Sequence, residues 1–459
     1  MTLLVVEVAQ IIPYTGSNSV QNSAKSLTIP LTFFDLPWLV VRVLPPPKKV
    51  FFYRLNECSR EHFHSFILPK LKHSLSLVLG TYLPLSGRLT WNQDELKPNI
   101  VVSQNDPVLV TIAETDADFS HLSSYGQRQV SELHSLTPEL PFSNDSVSAF
   151  SLQITLFPNQ GFSIGYTAHH AVLDGKTLSM FMKAWAQLCK QEIENRVISL
   201  PQSLTPSLDR SFLKDLTKLD EQMMEIVRSL INDDKTNMRN LTAGETGDDV
   251  VLATLVLSCD DVERLRERVR RSDSSHVHLS TFVIAYAYVW TCLVKARGGD
   301  EERLVSFCFV GDFRTRLEPP LPATYFGNCV FAVGSYKRKA AEFTGERGFV
   351  NAVEILSDLV KSLSSPGMVE TFAQEFANAF SSVGESSQFG SVAGSNRFGV
   401  YEMDFGWGRP VKVDVISIRG EAISMADRRD ESSGVEIGMC MNKTEMDIVF
   451  SVLNHGLQN

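Results

Sequence analysis

The chain has 459 residues, 43% apolar and 21% charged, which is enough for two domains with substantial cores and excludes a tiny stapled scaffold. Its 43 basic and 53 acidic residues leave a formal net charge of −10, which opposes a nucleic-acid polyanion and offers anionic lipid no general attraction, so small molecules are the expected partners. Its 7 cysteines are dispersed without a CxxC pair and read as reduced thiols in a cytosolic protein; no uncharged apolar run approaches the roughly 20 residues that cross a bilayer.

The opening MTLLVVEVAQIIP is interrupted by Glu7, lacks a basic flank and a small-residue cleavage site, and reads as a strand rather than a signal peptide. Between Phe66 and Leu89, Ile67, Leu71, Leu75, Val78, Leu79 and Tyr82 mark one buried helix face, closed by Pro84. From Phe150 to Phe157, apolar residues alternate with Ser151, Gln153 and Thr155, the pattern of a half-buried strand. Pro158 to Gly161 make a turn, and Phe162, Ile164 and Tyr166 resume the alternation toward His169 and His170. After Gly175, the spacing of Leu178, Phe181, Trp185 and Leu188 predicts a helix, so HHAVLDG is a strand-to-helix junction.

The stretch from Pro201 to Asp249 loses periodicity, apart from a helix around Leu219 to Ile231, and reads as a crossover. A second unit begins with a strand from Val250 to Leu257, then Ser258 and Asp261 in capping-box spacing. Ser280 is expected to cap a helix carrying Val283, Ala287, Trp290 and Val294 on one face, while Cys292 and Cys308 lie in core-like runs. The Gly- and Ser-rich segment from Ser381 to Gly399 reads as a mobile surface loop. The division expected is residues 1–200, a linker over 201–249, and residues 250–459.

His170 and Asp174 form an HxxxD pair on a loop between two regular elements. A neutral imidazole there can take the proton of a hydroxyl attacking an activated carbonyl. Asp174 can orient the imidazole or fix the loop through an arginine. A metal site is not expected, because Asp174 is the one carboxylate near the two histidines and no cysteine lies close. No GxSxG elbow supports a serine nucleophile. A second segment, DFGWG from Asp404 to Gly408, reads as a tight bend that Asp404 can hold. Ser280 and Thr281 offer a helix N-terminus either as a plain cap or as a phosphate receptacle. Asp312, Arg314 and Asn328 sit at strand-to-loop transitions, where an ion pair or a turn accounts for each.

Taken together, HHAVLDG and DFGWG resemble the paired signatures of the plant BAHD acyltransferases, and LTFFDLPWL, PLSGRL, PSLDRS and GVEIG follow in that family's order, so the resemblance covers essentially the whole chain. YFGNC, from Tyr325 to Cys329, is similar to the motif of the branch acylating anthocyanin and flavonoid glycosides, and HAVLDGKT and YEMDFGWGRP resemble the phenolic glucoside malonyltransferases within it.

The resemblance implies an α/β fold of two similar domains of the chloramphenicol-acetyltransferase type, joined by a crossover and enclosing a solvent channel. It implies His170 as general base, Asp174 as loop support, and Asp404, often placed with the catalytic machinery, as structural. Ser280 and Thr281 match CoA-contacting positions. The implied reaction is malonyl transfer from malonyl-CoA, a co-substrate rather than a bound cofactor, to a glucose 6-hydroxyl of a phenolic, flavonoid or anthocyanin glucoside. A hydroxycinnamoyl-CoA donor, or a non-catalytic paralogue that binds a small molecule, are the alternatives. A cytoplasmic monomer is expected. Malonyl selectivity calls for a cation to meet the donor's free carboxylate, with Lys176 first and Arg42 and Arg397 behind it.

Overall fold

The computed structural model describes residues 2–14, 26–39, 45–91, 95–103, 105–143, 145–232, 247, 249–272, 277–430 and 433–458. Among these residues, three sheets and the helices packed on them make a mixed α/β fold. The first sheet runs in the order Leu3–Ile11, Val108–Thr115, Phe150–Phe157, Gly161–Ala168, Lys48–Arg54, Lys412–Val415. The second runs Val330–Lys339, Leu304–Asp312, Gln388–Ser395, Gly420–Asp427, Val435–Asn442, Val250–Leu257, Arg128–Gln129. Each therefore takes one short strand from the other half of the chain. A smaller sheet of four strands lies in the first half.

That exchange is fastened by buried charge. Arg128 meets Asp414, Lys412 reaches Asp414 at 3.0 Å and Glu436 at 3.4 Å, and the hydroxyls of Tyr125 and Tyr401 donate to Glu436 at 2.8 and 2.6 Å. Buried ions persist only when paired and hydrogen-bonded, so this cluster ties the two sheets together at one defined register.

The hairpin that leads to the histidines forms as its pattern predicts: Phe150–Phe157 pairs antiparallel with Gly161–Ala168, Phe162 opposite Leu156 and Tyr166 opposite Leu152. Its turn needs Asn159 at φ 61° and Gly161 at φ 143°, where a Cβ would sit 2.1 Å from the Tyr53 carbonyl oxygen. The strand Phe150–Phe157 is not half-buried, however; all eight residues are buried. Its polar face is covered because the side chains are uncharged and find partners. Gln153 Nε2 donates to the Ser135 carbonyl at 2.7 Å, and Ser151 Oγ to the Leu109 carbonyl at 3.2 Å.

The helix predicted after Phe66 spans Leu68–Thr81, with Leu71, Leu75, Val78 and Leu79 buried. The crossover helix is Thr217–Asn232. The expected mobile loop from Ser381 to Gly399 is instead the end of the helix Phe372–Glu385 followed by the strand Gln388–Ser395 inside the second sheet, leaving only the turn before Gly399. Gly390 there serves close packing, since a Cβ would meet the Trp290 ring at 2.5 Å. No helix among the described residues is long and apolar enough to cross a membrane.

Candidate active site

The first sheet ends its fourth strand at Ala168, and the chain turns through His169 and His170 before the helix Gly175–Ile193 begins. His169 is locked inward: its N–H donates to the Ala149 carbonyl at 2.9 Å, and its Nδ1 accepts from the Ala171 N–H at 3.2 Å. His170 is the partly exposed member of the pair. Its imidazole lies parallel to the Trp38 indole, with centroids 3.7 Å and planes 2° apart. Nδ1 is sealed from solvent without a hydrogen-bond partner among the described residues, whereas Nε2 is not sealed. Burial pushes this imidazole down to about 4, against the raising effects of its own carbonyl, the Asp174 charge and the Asn328 side chain. At neutral pH it is an uncharged base.

Asp174 does not touch the imidazole. Its Oδ1 accepts from the Thr177 N–H at 2.9 Å, capping the helix, and its Oδ2 receives the Cys329 N–H at 3.2 Å and Arg314 Nη2 at 2.8 Å. Arg314 is fully buried and also donates to Thr177 Oγ1, Asp312 Oδ1 and the Gly327 carbonyl. The loop carrying His170 is thus clamped to the strand ends of the second sheet.

YFGNC supplies the other half of the clamp. Asn328 Nδ2 donates to the His170 carbonyl at 2.9 Å and to Asp35 Oδ1 at 2.9 Å. Asp35, buried in LTFFDLPWL, also takes the Asn328 N–H at 3.1 Å and Arg210 Nη1, from PSLDRS, at 2.6 Å. Four sequence motifs far apart in the chain therefore meet around one imidazole.

Among the remaining sequence candidates, Asp404 works locally. Its Oδ1 accepts from the N–H groups of Gly406 and Gly408 at 2.8 and 2.9 Å, and its Oδ2 pairs with Lys190 at 2.6 Å. Burial opposes ionisation of this carboxyl, but Lys190 and the two N–H groups hold it below the usual range. Phe405 inserts against Trp185 at 4.8 Å, so DFGWG fastens a bend onto the helix that starts at the site, and none of these bonds reaches His170.

Lys176 pairs with Asp312 at 3.0 Å, both half-exposed. Ser280 Oγ caps its helix by accepting the Val283 N–H at 3.3 Å, and Thr281 Oγ1 accepts from Arg266 at 2.9 Å. Arg397 is exposed, one residue before Phe398, whose ring a Cβ at Gly175 would meet at 3.0 Å. Arg42 lies outside the described residues. Among the described residues, no group of three His, Cys, Asp or Glu side chains is placed to hold a metal.

The model of the transferase family matches residues 17–453. The chain belongs to this family, the BAHD acyltransferases. The BAHD chain is 64% identical to phenolic glucoside malonyltransferase 2 of Arabidopsis thaliana over 463 residues, covering 100% of both. It is 46% identical to agmatine coumaroyltransferase of the same plant, again over 100% of both. Among solved structures, vinorine synthase matches with a TM-score of 0.68 at 21% identity, covering 97% of this chain and 96% of that one, which gives the two-domain α/β fold.

The candidate site includes residues to which the sequence alone assigns no part in it. Trp38, Asp35 and Arg210 lay in quoted motifs but carried no stated role, and Asn328 and Arg314 read as local turn or ion-pair residues. The one available signal was that four uncommon motifs each held a polar or aromatic residue without an evident local partner.

Proposed function

We propose that this BAHD acyltransferase moves a malonyl group from malonyl-CoA to a sugar hydroxyl, glucose 6-OH, of phenolic, flavonoid or anthocyanin glucosides. The observation that carries the chemistry is His170: a neutral imidazole, stacked on Trp38, with Nε2 as its unsealed nitrogen. Full-length identity of 64% to a phenolic glucoside malonyltransferase supports the donor and the acceptor class.

In this reading, the acceptor hydroxyl gives its proton to His170 Nε2 as its oxygen attacks the thioester carbonyl. The tetrahedral intermediate then collapses, the C–S bond breaks, and the imidazolium returns the proton to the CoA thiolate. A thioester is already activated, so placement and one proton transfer suffice. Asp174 and Asp404 keep the loop and the bend in place.

The malonyl carboxylate exchanges for Asp312 on Lys176. Breaking a half-exposed pair costs little, whereas a carboxylate left unpaired in the site costs more. Arg397, next in the chain to Phe398, whose ring lies over Gly175, is the second candidate cation. CoA phosphate is placed at the N-terminus of the helix Thr281–Arg297. There the hydroxyls of Ser280 and Thr281 each accept one hydrogen bond and keep their O–H to donate, so they join the N–H groups of the first turn and Arg266 in binding the phosphate. The protein works as a cytoplasmic monomer without a permanently bound cofactor.

The test is purified protein offered malonyl-CoA, acetyl-CoA and p-coumaroyl-CoA against a panel of phenolic, flavonoid and anthocyanin glucosides, with agmatine included, and products read by mass spectrometry. Malonylated glucoside as the main product supports the reading. Preferred coumaroyl transfer would overturn the donor, and no product with any donor would point to a binding protein.

A further inference from the structure

Asp35 is fully buried, and its carboxylate is surrounded by donors. Oδ2 accepts from the Thr32 N–H at 2.9 Å, the Thr32 hydroxyl at 2.8 Å and Arg210 Nη1 at 2.6 Å. Oδ1 accepts from the Asn328 N–H at 3.1 Å and from Asn328 Nδ2 at 2.9 Å. These donors, drawn from three distant segments, take up the roughly four lone-pair positions that two carboxylate oxygens offer. An amide in the same place would turn an NH₂ either toward Asn328 or toward Thr32 and Arg210, donor against donor in both cases.

From this hub two routes lead to His170. Along the chain, the Asp35 carbonyl accepts the Trp38 N–H at 3.2 Å, inside the tight turn Leu36–Leu39 that presents the indole to the imidazole. Across the fold, the same Asn328 Nδ2 that donates to Asp35 donates to the His170 carbonyl at 2.9 Å. One carboxylate thus refers both the aromatic wall of the base and the backbone of the base to a single frame. The crossover closes the far side of that frame. Arg210 Nη1 also donates to the Pro30 carbonyl at 2.9 Å, and Ser207 exchanges backbone bonds with Thr324 and Phe326 at 2.9 and 2.8 Å, just ahead of Asn328. Among the described residues, neither Asp174 nor Asp404 bonds to the Trp38 turn or to the Asn328 side chain.

We propose that Asp35 is a positioning residue for the transfer reaction: it holds the Trp38 indole and the His170 backbone at one spacing and so aims the imidazole at the acceptor hydroxyl. This rests on His170 being the general base. Proton transfer needs its heavy atoms within about 2.6–3.2 Å, and a misplacement of about 1 Å can cost ~100-fold, so the effect falls on kcat rather than on donor binding.

The experiment is steady-state kinetics of the full chain with malonyl-CoA and a phenolic glucoside on Asp35→Asn, His170→Ala and the double variant, with Tm measured for each. Asp35→Asn should lower kcat ~10- to 100-fold and leave KM for malonyl-CoA within about 3-fold. In the His170→Ala background the same change should take no more than about 2-fold from the residual turnover, because the group it positions is gone. A further loss there as large as in the wild type would make Asp35 a general structural residue and overturn the proposal. So would wild-type kcat in folded Asp35→Asn, or a loss confined to KM. If Asp35→Asn does not fold, the two routes are broken singly: Trp38→Leu and Asn328→Ala should each lower kcat at least about 2-fold, and wild-type kcat in both would overturn the proposal. Should His170→Ala keep wild-type turnover, the general-base reading fails instead, so the two failures are distinguishable.

Discussion

The Trp38 indole and the His170 imidazole are parallel to within 2° at a centroid distance of 3.7 Å, so the proposed base has an aromatic wall along one whole face. During proton transfer the ring becomes a cation, and an indole face stabilises a cation by about 0.5–2 kcal/mol. Trp38→Leu should therefore lower kcat by roughly 2- to 30-fold while leaving KM for the donor nearly unchanged. Steady-state kinetics on a variant whose Tm is checked first decides this; a change confined to KM would assign Trp38 to substrate binding.

Asp174 and Arg314 form a buried pair at 2.8 Å, and Asp174 also caps the helix. Removing Asp174 leaves the buried Arg314 with only the half-exposed Asp312, shared with Lys176, as a carboxylate partner; breaking a buried pair costs up to about 3–5 kcal/mol, with the lost cap adding about 1 kcal/mol. Asp174→Ala should thus lower stability severely in denaturant titration. Asp174→Asn, which keeps the cap, should lose less. A fully stable Asp174→Asn protein without turnover would instead make the carboxylate part of the chemistry.

Acid should weaken the fold before it protonates the base. Burial pushes His134, His169 and His170 down to about 4, whereas unfolded histidines titrate near 6.5. Between those values the unfolded chain binds protons that the folded chain refuses, so stability present above about pH 6.5 is lost as pH falls toward 4. Denaturation midpoints measured from pH 7.5 to 4.5 should fall steadily, and kcat/KM should show no loss attributable to a histidine titrating near 6.5. A sharp acid limb at that value would mean that His170 is not held neutral by its surroundings.

Lys176 and Asp312 sit 3.0 Å apart at the mouth of the same helix. If the ammonium also serves the donor carboxylate, Lys176→Met should cut kcat/KM at least ~10-fold for malonyl-CoA and leave acetyl-CoA within about 3-fold. Equal losses on both donors would sink the assignment.

Local features were legible in the sequence wherever a period or a turn residue decided them. The hairpin, the helix after Gly175, the capping box at Ser258 and the crossover helix all follow from spacing alone. Two readings failed because burial overrode composition. Ser151, Gln153 and Thr155 are small or uncharged enough to be buried with backbone partners, and Gly390 is required by the Trp290 ring rather than by mobility. The site was legible as a list of motifs but not as a set of contacts. Asn328 meets His170 across 158 residues and Asp35 across 293, distances along the chain at which no periodicity operates. Only the fold brings them together.

The most direct test of the account is turnover of His170→Ala with malonyl-CoA and a phenolic glucoside. General-base catalysis is typically worth ~10²–10⁴-fold, and among the described residues the His170 imidazole makes none of the hydrogen bonds that hold the loop, so kcat should fall by that factor in a protein with wild-type Tm. Near-wild-type turnover in the folded variant would contradict the account.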